Sequence, residues 1–78
     1  MTEIEAVTIA NAFIEAHKQD VADCVFKRAV SMTVASGTGR ITPPWAVVYR
    51  ITSGSFEGDE LTVRVDSVAH EAEFMYSL

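Results

Sequence analysis

Two repeats of apolar positions divide the chain. Over residues 3–19 the repeat is helical. At 100° per residue, Ala6, Ala10, Phe13 and His17 fall in one narrow sector, with Val7 and Ile14 on one flank and Ile9 and Ala16 on the other. Thr8, Asn11, Glu15, Lys18 and Gln19 occupy the opposite side. Thr2 and Glu5 have capping-box spacing, and Glu3 and Glu5 suit the positive end of the helix dipole. No glycine marks the stop, and Asp20 begins the exit.

The repeat then shortens to two. Over residues 24–35, one side reads Cys24, Phe26, Arg28, Val30, Met32, Val34 and the other Val25, Lys27, Ala29, Ser31, Thr33, Ala35. Arg28 interrupts the apolar side, and either a bulge or a snorkelling side chain would accommodate it. Residues 36–44 hold two glycines and two prolines and read as a loop. Residues 45–52 form the next strand, with Trp45, Val47, Tyr49 and Ile51 on one side and Ala46, Val48, Arg50 and Thr52 on the other. A turn over 53–59 carries Gly54 and Gly58. Residues 60–65 alternate again, with Leu61, Val63 and Val65 inward. After a bend over 66–70, residues 71–78 alternate as a final edge strand.

A helix followed by strands on hairpin-length turns predicts an α+β domain: one N-terminal helix packed on a three- to four-stranded antiparallel meander sheet. Seventy-eight residues, with 49% apolar and 22% charged, fit one such domain over residues 1–78 and little more. Six basic residues against eleven acidic ones give a net charge of −5, which argues against nucleic acid as a partner and favours a basic protein. The acidic start lacks the lysine or arginine of a secretory leader, and no apolar run approaches a membrane span, so a cytoplasmic protein with one reduced thiol, Cys24, is expected.

The alanine-rich opening helix (Ala6, Ala10, Ala12, Phe13), the run Trp45-Ala46-Val47-Val48-Tyr49 and the closing Val63-Arg64-Val65-Asp66 with His70-Glu71-Ala72 resemble small bacterial cystatin-like domains. The chain is similar to YrhB-type immunity proteins (the immunity protein 35 group) and, more loosely, to PepSY domains. The likeness implies a cystatin-like fold and a non-enzymatic binder of a toxin or enzyme, and it transfers no catalytic residue. Many of those chains have glycine in the last turn, where this one reads Ser67-Val68-Ala69-His70-Glu71.

Little else carries chemistry. Cys24 with His17 or His70 lacks an orienting third group, and a small buried thiol at the start of a strand accounts for it. His17 reads as an imidazole packed in or beside the core, with one nitrogen on a carbonyl. Asp20 is its one weak companion for a metal. His70, Glu71 and Glu73 read as a solvated turn. Gly37-Thr38-Gly39-Arg40 lacks the lysine-threonine of a phosphate loop. No cofactor or metal is implied.

Trp45 and Tyr49 share a strand face about 13 Å apart. They serve either as core under the helix or as an exposed aromatic ledge. The reverse face, with Val48 and Arg50 beside Ala29, Ser31 and Thr33, is flat and half-apolar and suits a partner or a second copy in a homodimer. The turn bearing Phe56, Glu57, Asp59 and Glu60 forms an acidic, aromatic-tipped hairpin for a basic protein surface. These six residues, Val48, Arg50, Phe56, Glu57, Asp59 and Glu60, are the candidate contact set. The alternative is a ligand-binding or catalytic pocket between helix and sheet near His17, Trp45 and Tyr49. A chain this short has little room for a cavity of about 300 Å³ beside its core.

Overall fold

The structure is a computed structural model and describes residues 1–32 and 43–75. Helix α1 spans Glu3–Ala16, and strands β1 (Cys24–Ser31), β2 (Trp45–Ile51), β3 (Glu60–Val65) and β4 (Ala72–Met75) form one open sheet in the order β1-β2-β3-β4. Every neighbouring pair is antiparallel, so the chain is an α+β meander with one helix across one face. The connection predicted over 36–44 lies, except for Pro43 and Pro44, outside the described residues. So do Thr33 to Ala35, the Gly37-Thr38-Gly39-Arg40 stretch and residues 76–78.

Both halves of the capping box are made: the Glu5 amide donates to Thr2 Oγ1 at 3.2 Å, and the Thr2 amide donates to Glu5 Oε1 at 3.1 Å. Hydrogen bonds from the Thr2 amide and then the Thr2 hydroxyl hold the Glu5 carboxyl below the usual glutamate range. The helix stops at Ala16, three residues short of the sequence expectation. His17 leaves helical geometry at φ −109°, ψ 19°, and the Asp20 amide closes a turn onto the His17 carbonyl. Its Nδ1 lies 2.8 Å from the Phe13 carbonyl oxygen, and its ring stacks on Phe13. The side chain that continues the apolar stripe therefore also caps the helix.

Ala6 and Ala10 have no solvent exposure, and they meet Val47, Tyr49, Val63 and Val65 in the core. Val7, Ile9, Phe13 and Ile14 pack around them, as the helical repeat predicts, while Ala16 is exposed. Each fully buried valine is worth about 1.5–3 kcal/mol of transfer free energy. Trp45 is half-buried against this cluster and Tyr49 is 4% exposed, so both belong to the core rather than to an aromatic ledge. The Tyr49 hydroxyl donates to Asn11 Oδ1 at 2.6 Å. Asn11 sits 100° from Ala10, at the border of the stripe, which is why a residue on the polar side reaches a core hydroxyl. Burial and the neighbouring Cys24 push the Tyr49 phenol up to about 12, so it stays a donor.

The register of β1 on β2 shifts between Phe26 and Arg28. This bulge changes which residues face the helix. Before it, Cys24 and Phe26 oppose Ile51 and Tyr49. After it, Ala29 and Ser31 oppose Val47 and Trp45. Ala29 and Ser31 therefore lie on the helix side, not on the outer face where unbroken alternation puts them. Arg28 and Val30 take the outer face beside Val48 and Ala46. The extra residue resolves the conflict that Arg28 poses, since unbroken alternation would press a guanidinium toward the helix.

Two connections are fixed by backbone need. In the β2–β3 hairpin, Gly54 and Gly58 adopt φ of 85° and 93°, and the Gly58 amide returns to the Ile51 carbonyl. Between β3 and β4, Asp66 Oδ1 accepts from the amides of Val68 and Ala69 at 2.8 Å, and His70 takes the left-handed φ of 56°. The left-handed position of this turn is thus filled by a histidine, in a strained conformation that glycine would adopt freely. Ser67 Oγ, almost buried, donates to the Pro43 carbonyl at 2.6 Å and ties the turn to the approach to β2.

Two stability measurements test this layout by urea denaturation. Val63→Ala should cost about 2 kcal/mol through lost burial and a residual cavity. His70→Gly should be neutral or stabilising by up to about 1 kcal/mol, and His70→Val destabilising by about 1–2 kcal/mol.

Candidate interaction surfaces

The β2–β3 hairpin carries Phe56 with 66% of its surface exposed, the amide of Asp59 closing onto the Phe56 carbonyl. Beneath it lies an open, mainly apolar hollow of about 290 Å³, lined by Val21, Ile51, Phe56, Leu61 and Phe74 with Asp20 at its margin. Each lining residue has a separate reason to be there. Ile51 ends β2, Leu61 follows Glu60 in β3 on the helix-facing side, and Phe74 reaches across from β4 after meeting Phe13 edge-on at 4.7 Å. Val21 arrives because the helix stops early and the chain turns back, and that turn is pinned where the Thr52 amide and hydroxyl both donate to the Asp23 carbonyl.

The two segments joined by this pinning carry four acids. Asp20 and Asp23 come from the helix exit, Glu57 and Asp59 from the hairpin, and among the described residues none of the four takes part in an ion pair.

Glu60, four residues beyond Phe56, does something different. Its carboxylate receives Lys27 Nζ at 2.6 Å on Oε2 and Arg28 at 3.1 Å and 3.2 Å on its two oxygens. The bulge brings both cations to it by placing two successive side chains of β1 on the outer face. Hydrogen bonds from Arg28, then from Lys27, hold the Glu60 carboxyl down at about 2. Glu60 is thus a structural clamp between β1 and β3, not a free acid of the hairpin. Val48 is also altered as a candidate: it is only 5% exposed, closed in between Arg28 and Thr62, and offers almost no contact surface. Arg50 stays exposed on the outer face, opposite Val25 and Glu60.

The centre of the helix–sheet interface, where a ligand pocket would sit between His17, Trp45 and Tyr49, is filled by the core side chains. Cys24 borders a shallow hollow with Ile14 and Lys18, and burial followed by the Asp23 carboxylate push its thiol up, away from the reactive thiolate. Among the described residues no three His, Cys, Asp or Glu side chains are grouped to hold a metal ion, and no helix is long and apolar enough to cross a membrane. The sequence pattern singled out Phe56, Glu57 and Asp59, and the structure leaves all three exposed on the hairpin. The pattern missed the contributions of Leu61 and Phe74, which read simply as core, and the pairing of Lys27, whose only signal was its neighbour Arg28 breaking the alternation.

Comparison with models of known protein families, with curated proteins and with solved structures finds no match for this chain.

The Glu60 clamp has a defined pH signature. Its folded pKa is depressed from 4.5 to about 2. The stabilisation is therefore fully present above the unfolded value and is lost as pH falls from about 4.5 toward 2. Thermal melts of wild type and Glu60→Gln should differ at pH 6 and converge by pH 2. The gap will be small and reduced by salt, because the pair faces solvent.

Proposed function

We propose that the protein is a small non-enzymatic interaction module, and that the end of the sheet around Phe56 is where it grips a protein partner. The observation that carries this reading is the apolar notch under an exposed aromatic, with Asp20 in its lining and three further unpaired acids on the segments that frame it. The partner presents an apolar anchor flanked by lysine or arginine: the anchor enters between Phe56, Leu61 and Phe74, and the basic groups meet Asp20, Asp23, Glu57 and Asp59. The likeness to YrhB-type immunity proteins supports placing that partner among toxins or enzymes whose working surface is occupied by the module. A filled helix–sheet interface and a Cys24 thiol held in its protonated form favour binding over catalysis.

Affinity capture from the native host with wild type and with the Phe56→Ser, Glu57→Lys, Asp59→Lys variant tests this. The three sites are exposed, so circular dichroism should show an unchanged fold. Wild type should retain a basic protein that the variant releases at least about tenfold more readily. Equal retention of every captured protein by both overturns the reading. Glu60 is left unsubstituted because its loss would unclamp β1 from β3.

A further inference from the structure

The face of the sheet turned away from α1 has the opposite character. Along β1 it shows Val25, then Lys27 and Arg28 at the bulge, then Val30. β2 contributes Ala46, Val48 and Arg50, β3 contributes Glu60, Thr62 and Arg64, and β4 contributes Glu73 and Met75. Four of the chain's six lysines and arginines stand on this one surface. Two carboxylates accompany them, Glu60 on Lys27 and Arg28 and Glu73 on Arg64. Arg50 has no ion pair among the described residues. The face thus carries a charge of +2, whereas the other described residues carry nine carboxylates and a single cation, Lys18. Between the cations, Val25 and Val30 remain 53% and 48% exposed.

We infer that this outer face docks an acidic amphipathic helix of a protein partner, as a second helical layer opposite α1. Charge complementarity selects the partner's sign: carboxylates beside its apolar stripe would meet Arg28 and Arg50 while the stripe covers Val25, Val30 and Ala46. The dimensions suit a helix. The seven residues of β2 extend about 23 Å, the length of roughly fifteen helical residues, and an open sheet face with apolar rows is where a helix packs in a three-layer fold. A nucleic acid fits less well, since a polyanion running beyond this small patch would meet the nine carboxylates around it. This docking is independent of the Phe56 notch, which uses other residues and the opposite charge.

The probe is a synthetic peptide of roughly fifteen residues, with leucines at helical i, i+3, i+4, i+7 spacing flanked by glutamates, and a control with lysines replacing the glutamates. Titration into the isotopically labelled protein, followed by amide chemical shifts, reads the site. The acidic peptide should shift amides around Val25, Val30, Ala46 and Arg50, and bind more weakly as salt rises. Arg50→Glu, which leaves the ion pairs of Glu60 and Glu73 in place, should weaken binding about three- to tenfold. Wild-type shifts confined to other surfaces overturn the inference, as does equal binding of the lysine peptide or of the Arg50→Glu variant. Sedimentation without peptide covers the remaining occupant: if the wild type self-associates and Arg50→Glu is monomeric, a second copy covers the face and the acidic helix is ruled out. Phe56 variants should leave peptide binding unchanged, so either proposal can fail without the other.

Discussion

Everything in this small domain depends on how closely α1 can approach the sheet. Ala6 and Ala10, one turn apart, present nothing larger than a methyl group, and the valines of β2 and β3 fill the space directly beneath them. A larger residue at either position would lift the helix and open the core to water, a change that a chain of 78 residues has little spare stability to absorb. Close approach also explains where polar groups can be tolerated. The Tyr49 hydroxyl would be stranded at the margin of the core without the Asn11 carbonyl oxygen 2.6 Å away. His17 packs its ring and satisfies Nδ1 on its own helix.

The β1 bulge is the second organising feature, and it serves the edge as well as the face. An eight-residue edge strand with a regular ladder and exposed Val25, Phe26 and Val30 would invite pairing with other chains. The extra residue interrupts that regularity and sets two cations where it does so. The same cations reach over β2 to Glu60, so a device that blunts an edge also fastens the first strand to the third.

Much of this could be read along the chain because two periods and one capping box are local signals. The shift from 3.6 to 2 near residue 20, the Thr2–Glu5 spacing and the glycines of the β2–β3 turn all survive into the structure. What could not be read are the consequences of one inserted residue. Alternation assigns Ala29 and Ser31 to the outer face and Val30 to the inner one. Arg28 signals a conflict in that pattern, but whether a bulge or a bent side chain resolves it depends on the pairing with β2, a non-local fact. The same holds for Glu60, whose sequence neighbours are acids but whose spatial neighbours are Lys27 and Arg28. His70 shows the converse: the turn lacks the expected glycine, yet the Asp66 side chain supplies enough hydrogen bonding to hold a histidine in left-handed geometry.

Those non-local pairings decide which of the sequence's candidate residues can meet a partner. Once Glu60 is spent on the clamp and Val48 is closed in between Arg28 and Thr62, the original contact set separates into two groups. Phe56, Glu57 and Asp59 stay with the acidic end, where the early stop of α1 delivers Val21 and Asp20 to the same notch. Arg50 goes with the sheet's outer face and the cations of the bulge. A net charge of −5 suggests a uniformly acidic molecule, but the fold sorts the charges, concentrating most of its few cations on one surface and leaving nine of the eleven carboxylates to the rest. An average over the sequence therefore understates the specificity available, because a partner responds to the local field of the face it meets. Two surfaces of opposite sign, each with its own apolar element, are thus built from a single layer of sheet and one helix.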